Sequence, residues 1–327
     1  MMKSKLLLFL LIFASLLAVQ CKKQTAGNKS SVKKIAFLSF GPDAGADIVL
    51  KGYLDGLKNA DFFEGKNLEV FQFNAAGDMA NIPSMMKNAD FKGYDLLIPM
   101  TTPCLAAAVS SVKNSKMVFC YVYDPIAAGA GNSFSDHYSL ATGIGSFPPV
   151  DETADFIQKI VPGIKRLGII YNSSEANSRK VVEVGKETMR KRGIELVEVT
   201  ITGTNEISQA AKSLVKQNIQ AIWVSGDNTV LQGFSGVVKE TKAAKLPLII
   251  NDPEFVEQGA LAAIGIGWYQ TGLAAAKMGA RILNGENPKD IPIENVAVRK
   301  VVLNNKSAQQ LGIIFPKEVI QGAEIIN

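Results

Sequence analysis

The sequence predicts an α/β fold of two doubly wound lobes, each built on a largely parallel sheet. Three observations lead there. Short apolar runs alternate with stretches of helical apolar spacing from Lys33 onward. The alternation is made twice, interrupted at 124–146 by a segment rich in Gly, Ser, Asn and Asp that reads as loop and crossover. The chain of 327 residues, 47% apolar and 20% charged, is long and apolar enough for two hydrophobic cores.

In the first half, apolar runs place strands at 35–40, 68–73, 96–100 and 117–122, and the stretches between them place helices at 46–59, 82–90 and 104–112. Strand and helix follow one another with short connections, the pattern of a parallel sheet. The second half opens with a helix at 153–160 and a strand at 167–171. Gly168 to Tyr171 is a short apolar run suited to a strand covered on both faces. Asn172, Ser173 and Ser174 then offer helix-capping side chains in a row, and 175–192 carries Val181, Val184 and Met189 among many charges until Gly193 stops it. Strands at 196–200, 221–225, 247–251 and 261–265 follow, with helices at 207–216 and 230–244. A further amphipathic helix at 272–283 ends at Asn284-Gly285 and a proline-containing turn, and 298–303 with a short helical stretch completes the chain.

Open α/β sheets bind ligands outside the carboxyl ends of their strands, and the loops there are polar: Gly41-Pro42-Asp43, Asn74, Thr101-Thr102-Pro103, Tyr123-Asp124-Pro125, Asn172 to Ser174, Gly226 to Thr229 and Asn251-Asp252-Pro253. A helix opening at such a place aims unpaired N–H groups and partial positive charge into the crevice, which suits an anion. The turn at 172–174 reads as one jaw of a small-molecule cleft, although capping alone accounts for many of these residues. Catalysis has no visible home. No G-x-x-x-x-G-K-[ST] occurs, Gly265 to Gly272 has the wrong spacing for a dinucleotide fingerprint, and Gly233-Phe-Ser-Gly236 is too short for a nucleophile elbow. The single histidine, His137, argues against a histidine-built metal site or a His-dependent triad, so neither metal nor cofactor is expected. The 35 basic and 30 acidic residues are scattered, so a net charge of +5 makes no nucleic-acid patch. Cys104 and Cys120 sit in apolar surroundings and read as buried free thiols, a disulfide between them being the alternative in an exported protein.

The amino terminus reads separately. Lys3 and Lys5 precede an apolar run from Leu6 to Val19, so 1–20 reads as a secretory signal, too short for a comfortable membrane span. Cys21 directly after it suggests a bacterial lipoprotein whose thiol carries the lipid, with 21–32 as a flexible tether. Gln20 departs from the small residue usual before such a cysteine, and an ordinary cleaved signal or an uncleaved anchor is the alternative.

Several motifs are linked: Gly52-Tyr-Leu-Asp-Gly-Leu with Glu64-Gly-Lys-Asn-Leu, Thr102-Pro103 before an Ala-rich helix, Asp124-Pro-Ile-Ala-Ala-Gly129, Tyr171-Asn-Ser-Ser-Glu-Ala-Asn-Ser178, Asp227-Asn-Thr229 and Gly259-Ala-Leu-Ala262. Together, over about 33–313, they resemble the ABC-transporter substrate-binding proteins of periplasmic-binding-protein type I fold, in the branch that includes tryptophan, phenylalanine and tyrosine binders. The resemblance implies two lobes joined by a three-segment hinge, with 33–142 and 268–297 in lobe one and 143–267 and 298–327 in lobe two. It implies a ligand carboxylate held at Thr102 and Pro103 and by Ser173 and Ser174, and an ammonium held by Asp227 and Asp252. Ser173 and Asp227 are therefore expected to face one cavity. Tyr123, Trp268, Tyr269 and Phe40 are candidate stacking walls, with a core position a stronger alternative for Phe40 than for the others. Asp124, Asn172 and Asn228 touch the ligand or cap.

The loop at 41–47 and Gly267-Trp268-Tyr269 depart from the family's pattern, which leaves the solute open among aromatic, branched and apolar amino acids and small related metabolites. The implied protein is an extracytoplasmic monomer that presents its solute to a membrane permease and touches no nucleic acid. A sensory module of the same fold and a sugar or nucleoside binder are the rivals, and an enzyme is not expected.

Overall fold

The computed structural model describes residues 32–296 and 298–327, so the expected signal segment and Cys21 lie outside the described residues. The first strand, β1 (Lys33–Ser39), has Ile35 to Leu38 fully buried, as a strand covered on both faces must. Helix α1 (Ala44–Lys58) is capped by Asp43, whose carboxylate accepts from the Ala46 amide at 2.8 Å. There follow β2 (Leu68–Asn74), α2 (Ile82–Lys92), β3 (Leu96–Pro99), α3 (Thr102–Ser111) and β4 (Met117–Val122). Within the segment expected to be loop, β5 (Ala141–Gly145) is a further strand with every residue buried. Its sequence, ATGIG, is short and glycine-bearing and so carries little strand signal; pairing with β4 makes it a strand.

The second half runs through α4 (Val150–Ile160), β6 (Arg166–Asn172), α5 (Ala176–Lys191) and β7 (Glu195–Ile201). Val181, Val182, Gly185 and Met189 recur at helical spacing and bury one face of α5. Next come α6 (Ile207–Val215), β8 (Ala221–Val224), α7 (Asn228–Gln232), α8 (Phe234–Ala244), β9 (Leu248–Ile250) and β10 (Ala262–Ile266). The helix expected over 230–244 is thus two helices. Gly233, at φ −111° and ψ 23°, leaves helical geometry between them, and the first, capped by Asp227, begins at Asn228, two residues before the expected start.

Helix α9 (Trp268–Leu283) begins at Trp268 rather than Gly272, because the Thr271 amide closes a first turn on the Gly267 carbonyl. The chain ends with β11 (Glu294–Asn295), β12 (Arg299–Asn304), α10 (Asn305–Leu311), α11 (Lys317–Ile320) and β13 (Glu324–Ile326).

The strands form two sheets. One has the order β11-β5-β4-β3-β1-β2 with every pair parallel; the other has the order β13-β12-β10-β9-β8-β6-β7, parallel except for β10 against β12. Helix α9 returns to the first lobe and lies along α1. Glycine permits this contact: a Cβ on Gly52 would stand 2.2 Å from the Tyr269 carbonyl oxygen, and one on Gly272 2.2 Å from that of Val49. The chain crosses between the sheets after Gly145, after Ile266 and after Asn295. Because β5 belongs to the first sheet, the first crossing lies beyond the boundary expected at 142. Cys104 and Cys120 are buried free thiols, and burial pushes Cys104 up to about 12.

Candidate functional site

Residues that follow β1, β3 and β4 meet residues that follow β6, β8 and β9, so the carboxyl ends of the two sheets face each other. The lobes are closed. The Tyr121 hydroxyl donates across the interface to Asp252 Oδ2 at 2.9 Å, and the Gln232 side-chain amide donates to the Pro42 carbonyl at 2.9 Å. Between the lobes, Thr102, Tyr121, Tyr123, Asn177, Gly226 and Asn228 surround a gap of about 10 Å³, the room of one water. A larger hollow of about 360 Å³, between Phe73, Met85 and Lys92, is lined by first-lobe residues alone.

Backbone strain marks the first-lobe side of the gap. Thr101 has φ +83° and Tyr121 φ +59°, two non-glycine residues held in the left-handed region at the ends of β3 and β4. Thr102 opens α3 and its hydroxyl oxygen accepts from the Tyr123 amide at 3.2 Å. On the second-lobe side, Asn177 lies in the first turn of α5. Its Nδ2 donates to Glu175 Oε2 and to Ser178 Oγ, leaving Oδ1 buried with no partner among the described residues. Thr101 Oγ1 and Ser225 Oγ, at the ends of β3 and β8, are buried and unpartnered in the same way. Neither Thr101 nor Glu175 caps its helix with a side-chain hydrogen bond, so the first-turn amides of α3 and α5, which pack together, stay open to an anion.

A buried polar frame supports that side. Glu175 accepts from the Asn228 and Thr229 amides at 3.1 and 2.9 Å and from their side chains at 2.6 and 2.7 Å. Asp227 accepts from the Asn172 amide at 2.7 Å and the Val230 amide at 2.9 Å, and burial together with the nearby Glu175 carboxylate pushes its own carboxyl well above the usual range.

The structure brings Thr102, Tyr123 and Asn228 together at the gap, with Pro103 fixing the first turn of α3. Asn172 braces the turn before α5 without capping the helix, its side chain accepting from the Ser174 amide and donating to Thr229 Oγ1. The expected pairing of Ser173 with Asp227 does not hold. Ser173 and Ser174 are exposed, because the turn after β6 carries them outward, and the Asp227 carboxylate faces two backbone amides instead of the gap. Asp124 caps the turn at Ala127. Phe40 is 2% exposed and packs with Ala75, Ile82 and Met86 in the core. Trp268 backs the site, edge-on to Tyr121 at 4.5 Å with its indole N–H on Asp252 Oδ1 at 3.0 Å. Tyr269 turns to Asp55 on α1.

The sequence does not single out Tyr121, Asn177 or Glu175, and it points to Asp43 only as part of the polar loop after β1. Tyr121 had a signal, since alternate residues of a strand share a face and Tyr123 was already a candidate. Asn177 had one too, lying in a first helical turn aimed at the crevice.

The family model for ABC transporter substrate binding proteins matches residues 34–326. The chain belongs to this family. Its members bind solutes and are not enzymes. Among relatives, a tyrosine-binding protein of Clostridioides difficile is 28% identical over 324 residues, covering 95% of this chain and 93% of that one. A Streptococcus pneumoniae domain solved in complex with L-Trp is 30% identical, with a TM-score of 0.86 over 90% of this chain and 100% of that one. The ligand-free, open structure of a Clostridium difficile substrate-binding protein with adhesive properties is 29% identical, with a TM-score of 0.68 over 90% of this chain and 99% of that one. At nearly equal identity and equal coverage the chain of this ABC transporter substrate-binding protein superposes more closely on the L-Trp complex than on the open structure, in keeping with its closed lobes. More distant solute-binding structures, 18% and 13% identical, share the periplasmic-binding-protein type I fold.

Proposed function

We propose that this substrate-binding protein captures an aromatic or apolar amino acid between its lobes and hands it to the permease of an ABC importer, held outside the cytoplasmic membrane by a lipid on Cys21. The observation that carries the reading is the Asn177 Oδ1 atom, buried without a donor among the described residues, at a gap lined by Asn177, two tyrosines and the starts of two helices. A ligand ammonium supplies the missing donor. Its carboxylate suits the first-turn amides of α3 and α5 and the Thr102 hydroxyl, and an aromatic side chain stacks on Tyr121 or Tyr123. That relatives bind tyrosine and tryptophan supports the same class.

Entry requires the hinge, because the closed lobes leave room for about one water. A micromolar solute brings about −8 kcal/mol, enough to draw an open-to-closed balance of a few kcal/mol toward closure. Thermal-shift screening of the purified protein against L-tyrosine, L-tryptophan, L-phenylalanine, L-leucine, glucose and adenosine tests this. Stabilisation by about 3 kcal/mol is expected at a hundredfold excess of an amino acid over its Kd. Stabilisation by glucose or adenosine alone overturns the amino-acid reading.

A further inference from the structure

Asp43 sits on the first lobe at the start of α1, and Asp252 on the second lobe just after β9. One hydroxyl lies between them: Tyr121 Oη is 3.0 Å from Asp43 Oδ1 and 2.9 Å from Asp252 Oδ2. The irregular register of β4 between Phe119 and Val122, with Tyr121 at positive φ, aims the ring there. A Cβ on Gly45 would stand 2.6 Å from that hydroxyl and 3.2 Å from Asp252 Oδ2, so the second-lobe carboxylate is seated on the first turn of α1. A phenol carries one proton and can donate it to only one carboxylate at a time.

The charged groups acting on the pair are acidic. Asp47 lies one turn along α1, and Glu254 lies in the short turn at Pro253–Phe255, itself paired with Lys300 of β12 at 3.4 Å. Tyr123, the residue after β4, lies near enough to Asp252, Asp227 and Asp43 for all three carboxylates to act on its hydroxyl. From α9 comes only the neutral Trp268 indole N–H. Among the described residues, no cation is one of the main groups that shift either carboxyl.

We propose that Asp43, Tyr121 and Asp252 form a proton-dependent latch, in which closing the lobes brings two carboxylates onto one hydroxyl and takes up a proton from water. The extra proton resides on one carboxyl group, which donates to the Tyr121 oxygen while Tyr121 donates to the other. Burial, reinforced by the facing carboxylate, raises Asp252 to about 7, and burial raises Asp43 to about 6. In the open arrangement both return toward the ordinary 3.8. The sign follows: closure is favoured most at acid pH, weakens as pH rises by up to about tenfold per pH unit for each carboxyl that has taken up a proton, two below about 6 and one from there toward about 7, and levels off above it.

The test needs no solute and so stands apart from the ligand assignment. Donor and acceptor fluorophores on exposed positions of the two lobes report the closed-to-open ratio of the full protein between pH 5 and 8. The ratio is expected to fall at least about a hundredfold from pH 5 to pH 7 in the wild type. Asp252→Asn should make that dependence shallower and end it near pH 6, where only Asp43 still releases a proton, and Tyr121→Phe should lower the ratio at pH 5, with circular dichroism confirming that each variant is folded. A wild-type interlobe distance that does not change with pH overturns the latch, whatever the variants do. So does an unaltered pH response in a folded Asp252→Asn or Tyr121→Phe protein.

Discussion

The Glu175 carboxylate accepts hydrogen bonds from Asn228 twice, from its side-chain amide at 2.6 Å and from its backbone amide at 3.1 Å. Glu175 precedes α5 and Asn228 opens α7, so one carboxylate ties together the two elements that form the second-lobe wall of the gap. Removing it leaves buried donors on Asn228 and Thr229 without an acceptor, at about 1–3 kcal/mol for each left unpaired. Glu175→Ala is therefore expected to lose at least about 3 kcal/mol in urea unfolding. A loss below about 1 kcal/mol would show that water replaces the carboxylate without penalty.

Asn177 and Ser173 separate the site the structure builds from the site the turn sequence suggests. Asn177 Oδ1 is buried and unpartnered at the gap, whereas Ser173 is exposed on the outer side of the turn. With L-tyrosine as the probe in calorimetry, Asn177→Ala should weaken binding about tenfold or more, since one ligand hydrogen bond is lost. Ser173→Ala should change it by less than about twofold. The reverse ranking would return the carboxylate seat to the turn.

These contrasts show what the sequence could express. Buried parallel strands are nearly continuous apolar runs, so β1, β4 and β6 stand out, and residues just past a strand's carboxyl end are candidates by position alone, which is how Thr102, Tyr123 and Asn228 were reached. Ser173, Ser174 and Asn177 carry similar chemistry within one turn of each other. Which of them faces the other lobe depends on the rotation at which α5 starts, and no residue type encodes that angle. Tyr121 is aimed by a positive φ at an irregular strand end, which a tyrosine does not announce. Strand β5 is defined by its neighbours, because its own residues have weak strand preference.

Gly226 sits where a side chain cannot. Its φ is +82°, and a Cβ there would stand 1.9 Å from the Tyr123 hydroxyl of the facing lobe. Gly226→Ala adds backbone strain in both arrangements but the clash only when the lobes are shut. Binding of L-tyrosine should weaken by about tenfold or more, while the melting temperature of the protein alone moves by only a few degrees. A variant that binds as tightly as the wild type would mean that Tyr123 swings aside on closure and is not a fixed wall.

Asp227 sets a pH dependence of folding stability. Burial, with Glu175 adding to it, holds the Asp227 carboxyl above its ordinary 3.8, so the folded protein keeps a proton that the unfolded chain gives up. Such a group contributes stability that is complete below 3.8 and is lost as pH rises toward the raised folded value, at up to about 1.4 kcal/mol per pH unit. Asp227→Asn carries no proton to lose. It gives up one of the two backbone amide bonds, to Asn172 or to Val230, and should be less stable than the wild type at pH 5. Urea unfolding at pH 5 and pH 7 should therefore show the difference between the two proteins narrowing toward neutrality. If it widens, the carboxylate is better accommodated in the charged form, and the two backbone amides, not Glu175, dominate its surroundings.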